Sequence, residues 1–380
     1  MAEAFKNMFN YKFLEKFSND LSLVVSNFDT EKFIVEIMDH DWPNKEYKQR
    51  IKHISSVLYG FLPADYDKAI DKLLLLIERI RDRFADFSVI DDKNFQLLTL
   101  EYGSILDSYV EQYGLNYLDT SIRAIETFTQ FTSCEFCVRP FIVKYPQEMM
   151  QQMLLWSSHS HWAVRRLASE GCRPRLPWGM AISHLKNNPL PILPILENLK
   201  NDPARFVRLS VANNLNDISK DNPEFVISIA NKWYGENENI NWILKHGCRT
   251  LLKNGNAQVM ALFGFEKAGE SIKIEHFNLL TPKVKVGDFL EFNFNLLNLD
   301  KDDRKIRLEY AIYYKKANGQ LTKKVHKISE KKYNGLTQSN ISRKHSFRLV
   351  TTRKFYCGIH QVAIIINGQE FEKNNFELIN

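Results

Sequence analysis

A chain of 380 residues, 44% hydrophobic and 25% charged, carries apolar material for about two or three domain cores and lacks the bias of a fibrous or disordered protein. Aliphatic runs such as residues 73–77 fall far short of the roughly 20 residues of a membrane span. The start, MAEAFKNMFNYKFLEKF, has no apolar stretch ending in small residues, so neither a membrane protein nor a secreted one is expected.

Up to about residue 265 the chain reads as consecutive amphipathic helices. YKFLEKFSNDLSLVVSN has apolar residues at helical spacing, and Asp29 is placed to cap EKFIVEIMD. KEYKQRIKHISSVLYGF and DYDKAIDKLLLLIERI continue the pattern on either side of Leu-Pro-Ala, with later breaks at Pro146, Pro174, Pro203 and Pro223. The five cysteines, at 134, 137, 172, 248 and 357, form no disulfide framework and point to reduced thiols in a cytoplasmic compartment. Cys134-Glu-Phe-Cys137 has no second pair to complete a zinc site and no β-α-β surroundings for redox chemistry, so no metal and no cofactor are expected.

The stretch SSHSHWAVRRLASEGCRPRLPW, residues 157–178, is the most unusual. Arg165, Arg166, Arg173, Arg175, His159, His161, Trp162 and Trp178 surround one carboxylate, Glu170. Ser160 is expected to cap a helix that stops at Gly171, where glycine tolerates the left-handed geometry just past a helix end. That leaves Glu170 in the last turn, where the helix dipole disfavours negative charge. Arg166, four residues earlier, offers an ordinary ion pair as the simpler explanation.

The helices repeat. WAVRRLASEG, RFVRLSVANNL and NWILKHGCRTL align at Val164-Arg165, Val207-Arg208 and Leu244-Lys245, with intervals of 43 and 37 between the basic residues. These lie near the roughly 40–47 of HEAT and armadillo units, which stack into an all-α solenoid with a concave face. A basic residue at one register either projects from that face or caps the loops between helices.

From about residue 271 the texture changes. FLEFNFNLLNL, KIRLEYAIYYKK, QLTKKVHKIS, HSFRLV and HQVAIII are strand-like, with turn signals at Asn318-Gly319 and Asn367-Gly368. About seven strands predict an all-β immunoglobulin-like sandwich without its inter-sheet disulfide, since only Cys357 falls here. The division is placed at residues 1–268 and 269–380. Residues 271–380 hold 20 Lys and Arg against 11 Asp and Glu, a net of +9, so the preceding 270 residues carry −3. The excess gathers between Lys301 and Lys354, and such a surface suits a polyanion, foremost nucleic acid.

The helical repeat, the VRRLASEG…RPRLPW segment and the basic β-domain, in this order, resemble the HEAT-like-repeat DNA alkylation repair glycosylases of the AlkC type. The resemblance runs from KNMFNYKFLEKF through the β-domain and is strongest from Glu135 to about Gly255. It implies a cluster of catalytic carboxylates on adjacent repeats, falling on Glu135 in CEFCVRP, Glu170 in RRLASEG and Asp217 in NNLNDIS, beside Trp178 in PRLPW. It further implies hydrolysis of the N-glycosidic bond of cationic bases such as 3-methyladenine and 3-methylcytosine, by carboxylates that stabilise an oxocarbenium-like sugar without base flipping. Arg165, Arg166, Arg173, Arg175 and Arg208 become candidate phosphate ligands. The partner is double-stranded DNA, held partly by the β-domain, with no membrane and no obligate protein partner; the chain is read as a monomer. The competing reading is a non-catalytic HEAT scaffold that binds nucleic acid or protein, although a face built only to bind phosphate gains nothing from isolated acids.

Overall fold

The computed structural model describes residues 5–81, 102–349 and 354–380. Thr351–Arg353 of the basic run and Val350 of HSFRLV lie outside them. The described residues divide into two compact units, one of 1–226 with 235–247, the other of 227–234 with 248–380.

The first unit is a helical repeat. Its helices are α1 (Tyr11–Ser22), α2 (Thr30–Ile37), α3 (Tyr47–Phe61), α4 (Tyr66–Ile80), α5 (Gly103–Tyr113), α6 (Leu118–Thr129), α7 (Val138–Lys144), α8 (Pro146–Trp156), α9 (Trp162–Gly171), α10 (Ser183–Asn187), α11 (Leu193–Leu199), α12 (Arg205–Ile218), the start of α13 (Pro223–Trp233), whose greater part belongs to the second unit, and α14 (Glu238–Gly247). Asp29 caps α2 as its position requires, accepting the Lys32 amide, and Asp65 caps α4 in the same way. α6, α9, α12 and α14 pack in that order as one row, while α8 and α11 lie against α9. This stacking buries Val164, Leu167, Val207, Val211, Leu215, Ile243 and Leu244, and it brings the ends of α9 and α12 together.

The β-domain is an eight-stranded sandwich: β1 (Ile272–Leu279), β2 (Lys283–Lys285), β3 (Phe289–Asn298), β4 (Arg304–Lys315), β5 (Leu321–Tyr333), β6 (Thr337–Ser346), β7 (Gly358–Ile366) and β8 (Gln369–Ile379). One sheet runs β1-β3-β6 and the other β2-β8-β7-β4-β5. Every pairing is antiparallel except β2 with β8. Alternate residues of β3, Leu290, Phe292, Phe294 and Leu296, point into the core against Leu308, Ile312, Val362 and Ile364. Asn367 and Gly368 both take positive φ, as a two-residue hairpin turn needs, joining β7 to β8. All five cysteines are free thiols.

One strand differs from expectation. HSFRLV reads as a strand, yet β6 ends at Ser346 and runs instead through the polar TQSNISRKHS. Its register against β3, from Thr337 opposite Asn298 to Ser346 opposite Phe289, supplies the ladder bonds that apolar alternation would otherwise advertise. Phe292 is completely buried at the centre of this core. Phe292→Ala is expected to destabilise the β-domain by about 3–5 kcal/mol. Urea unfolding followed by circular dichroism measures this, and an unmoved midpoint would show that the sandwich core lies elsewhere.

Candidate active site

The helix that carries Glu170 begins and ends differently from its sequence reading. His161, not Ser160, is the N-cap: its side chain accepts the Ala163 amide at 3.3 Å, while Ser160 offers its carbonyl to Arg165. Gly171 is the last helical residue and has no positive φ. It is needed for space, because a Cβ there would lie 2.8 Å from Val138 Cγ1. α9 can therefore settle onto α7, and Glu170 is carried inward.

There the three acids join an alternating chain of charges. Arg166 Nη1 donates to Glu135 Oε2 at 2.9 Å, and Ser133 shares that oxygen. Arg166 Nη2 lies 3.8 Å from Glu170 Oε1. The same Glu170 oxygen accepts Arg173 Nη1 at 2.5 Å, and its other oxygen accepts Ser210 Oγ at 2.6 Å. Arg173 then spans to Asp217, with Nε and Nη2 at 2.8 and 2.7 Å from Oδ2. Lys220 Nζ closes the chain on Asp217 Oδ1 at 2.9 Å. Glu170 and Asp217 are only 5% and 2% exposed.

Charge at that depth persists only when it is paired. Burial by itself would raise the pKa of Glu170, but Arg166, Arg173 and the Ser210 hydroxyl prevail and hold its carboxyl below the ordinary range. Burial likewise works against Arg173, and Glu170 and Asp217 overcome it, keeping the guanidinium's pKa above the usual one. Arg173, at 2.5 Å, is the hydrogen-bonded partner of Glu170, while Arg166, at 3.8 Å, adds its charge from farther off.

Trp178 is the opposite of buried. It is 86% exposed and sits at φ +64°, in the left-handed region that a bulky residue rarely occupies. Two cations hold its loop. Lys48 Nζ donates to the Trp178 carbonyl at 3.1 Å. Arg139, completely buried, donates from Nε to Met180 O at 2.7 Å and from Nη1 to Gly171 O at 2.8 Å. Burial pushes the Arg139 guanidinium down to about 10. One side chain thus ties the end of the Glu170 helix to the far side of the tryptophan loop.

The remaining arginines split into two kinds. Arg165 Nη1 donates to the carbonyls five and six residues before it, Ser160 and His159, and Arg208 Nη1 does the same to Pro203 and Asp202. The repeated register is thus a repeated loop clasp, reinforced where Arg165 grips the Asp202 carboxylate at 2.5 and 3.1 Å. Arg175 pairs with Asp221 at 2.5 and 2.6 Å but keeps 40% of its side chain exposed.

Ser210, Lys220, Ser133 and Arg139 escaped the sequence reading. Ser210 alone had a usable signal, since it precedes Asp217 by two helical turns and so shares its face. Outside the cluster, Asp107, Cys134 and Cys137 bring their ligand atoms within 4.8 Å of one another, a set that suits a metal ion. Burial, with Glu111 and Glu135 nearby, pushes the Asp107 carboxyl up to about 7.

With this geometry in place, comparison with known proteins is specific. A family model described as "DNA alkylation repair enzyme" matches residues 105–251, and one described as the C-terminal Ig-like domain of YhaZ matches residues 273–380. Protein YhaZ of Bacillus subtilis is 40% identical over 98% of this chain and 99% of its own. The structure of Pseudomonas fluorescens alkylpurine DNA glycosylase AlkC, bound to DNA containing an abasic site analogue, superposes with a TM-score of 0.89. It is 32% identical and covers all of both chains.

The ion chain makes an acid-stability prediction. Because the folded pKa of Glu170 is depressed, its contribution is present above the ordinary carboxylate value and is lost as pH falls through the folded one. Arg173→Gln leaves two buried acids without their shared cation, so a cost of about 3–5 kcal/mol is expected, with acid unfolding moved to higher pH. Acid titration by circular dichroism tests this; an acid midpoint equal to that of the unsubstituted chain contradicts it.

Proposed function

This chain belongs to the AlkC-type family of HEAT-like-repeat DNA alkylation repair proteins, and on that premise we propose that it is a monofunctional DNA glycosylase releasing cationic alkylated bases such as 3-methyladenine and 3-methylcytosine. The observation that carries this reading is the pairing of fixed, ionised carboxylates with an exposed tryptophan on a strained, doubly anchored loop.

A base alkylated on a ring nitrogen carries positive charge, so it departs with the C1′–N electron pair and needs no strong acid. Positive charge then moves to the deoxyribose, as in other oxocarbenium-like glycosyl transfers. Glu170 and Asp217 stabilise that charge, with Glu135 completing the negative side of the site. Being held by Arg166, Arg173 and Ser210, they need no reorganisation as the bond breaks. Water adds to C1′ and gives its proton to one of these carboxylates or to solvent. Trp178 packs against the lesion nucleotide while the base stays in the helix, so selection rests on how weak the alkylated bond already is.

The protein partner is duplex DNA, met by a monomer in the bacterial cytoplasm. Arg175 and Lys220, the more exposed cations of this region, are the ones to meet phosphates, whereas Arg165, Arg166, Arg173 and Arg208 mainly hold the site. In the β-domain a cavity of about 190 Å³ is lined by Tyr314, Lys315, Lys316, Lys323, Lys324 and Lys354, a surface suited to a polyanion. A scaffold that only bound DNA would gain nothing from three acids here, two of them buried.

Incubation with duplex containing either lesion, followed by detection of free base and abasic sites, tests the proposal. Glu170→Gln and Asp217→Asn are each expected to slow release by about 10²-fold or more, while duplex binding changes little. Failure of the well-folded unsubstituted chain to release base from either lesion would leave a binding scaffold. Trp178→Ala is expected to slow release on the same substrates with the fold unchanged, because the ring is almost fully exposed. Unaltered release would remove the tryptophan from the site.

A further inference from the structure

The CxxC pair lacks partners in the sequence around it, and the fold supplies one. Asp107 comes from the middle of α5, whereas Cys134 and Cys137 stand on the turn that leads into α7. All three are buried, both cysteines completely, and the carboxylate oxygen and two sulfurs lie mutually within 4.8 Å. Among the described residues Asp107 Oδ1 has no hydrogen-bond partner, and the hydrogen bonds that do reach this carboxyl come from Cys137, one of the two thiols. The charged groups that act on this carboxyl are Glu111 and Glu135, both negative. A buried carboxyl facing two thiols and two further acids lacks a counter-cation, which is the environment a divalent ion resolves.

We propose that Asp107, Cys134 and Cys137 form a structural zinc(II) site. Tetrahedral zinc with Zn–S of about 2.3 Å and Zn–O of about 2.0 Å sets its donors roughly 3.5–3.8 Å apart, so the cluster, whose atoms lie within 4.8 Å of one another, closes with a contraction of at most about 1.3 Å. Two thiolates and a carboxylate suit zinc better than calcium or magnesium, which prefer oxygen donors alone. As the ion binds, both thiol protons and any carboxyl proton leave to solvent, giving a complex of net charge −1 whose fourth position is taken by water. No electron transfer is involved.

The site serves the turn between its ligands. Cys134 and Cys137 bracket Glu135 and Phe136, so a bound ion would pin the Glu135 turn to α5. Its part would be structural, because all three ligands are buried and the single water it keeps would be enclosed with them. The proposal is independent of the glycosylase reading and stands or falls on metal binding alone.

The full chain, purified under reducing conditions, is equilibrated with zinc, dialysed and analysed by atomic spectrometry; cobalt(II) then replaces zinc as a spectroscopic probe. The expected result is one ion per chain, a raised thermal midpoint and thiolate-to-cobalt charge-transfer absorption. All three are expected to vanish in Cys134→Ser/Cys137→Ser and to persist in Cys172→Ser, another buried thiol. Asp107→Asn, nearly isosteric, is expected to weaken binding by at least the roughly 10–100-fold lost with an outer-shell partner, and it serves where the double variant fails to fold. Metal well below one ion per chain in the unsubstituted protein overturns the site, as does absorption that survives the double cysteine substitution. So does a Cys134–Cys137 disulfide as the sole product of loading.

Discussion

Arg173 is the side chain on which the helical unit's arrangement turns. Its guanidinium touches the end of α9 through Glu170 and the end of α12 through Asp217, so one cation makes two buried acids compatible. Without it, the row formed by α9 and α12 would bring like charges together in a dry interior. With it, repeat stacking and charge pairing favour the same geometry. Arg166 extends that logic back to Glu135, so local pairs alternate with links, Arg166–Glu135 and Arg173–Asp217, that join segments distant in sequence.

The local irregularities serve the same end. Gly171 lets α9 approach α7 closely, Arg139 fastens that helix end to the Trp178 loop, and the loop clasps of Arg165 and Arg208 fix where α9 and α12 begin. Acid depth and tryptophan exposure are thus two results of one anchoring scheme. The ring projects from a loop held at the Trp178 carbonyl by Lys48 and at the Met180 carbonyl by Arg139.

Local pattern carried most of the fold. The helical repeat and the basic sandwich were legible because one-sided burial leaves a period of 3.6 or 2 in the chain, and Asp29 capped its helix as written. Misreadings fell where tertiary contact overrides local preference. His161 displaced Ser160 as a cap, Gly171 answered a packing demand, and polar β6 joined the sheet through its ladder bonds to β3 and a Lys344–Glu291 ion pair rather than through apolar alternation. In the site, Glu135, Glu170 and Asp217 were nameable from motif, but their partners were not. Arg166 reaches Glu135 across 31 residues and Arg173 reaches Asp217 across 44, distances at which sequence order says nothing of contact. Asp107 escaped for the same reason, being 27 residues from the nearer cysteine.

The alternating chain from Glu135 to Lys220 also bears on how this sequence can drift. Three acids and three cations in series cancel, and only the last, Lys220, has substantial contact with water. Losing one inner member strands both neighbours, so tolerated replacements there have to arrive together, whereas Lys220 is free to vary alone. Inheritance of the inner four as a block would follow from solvation energy alone, whatever selection acts on catalysis.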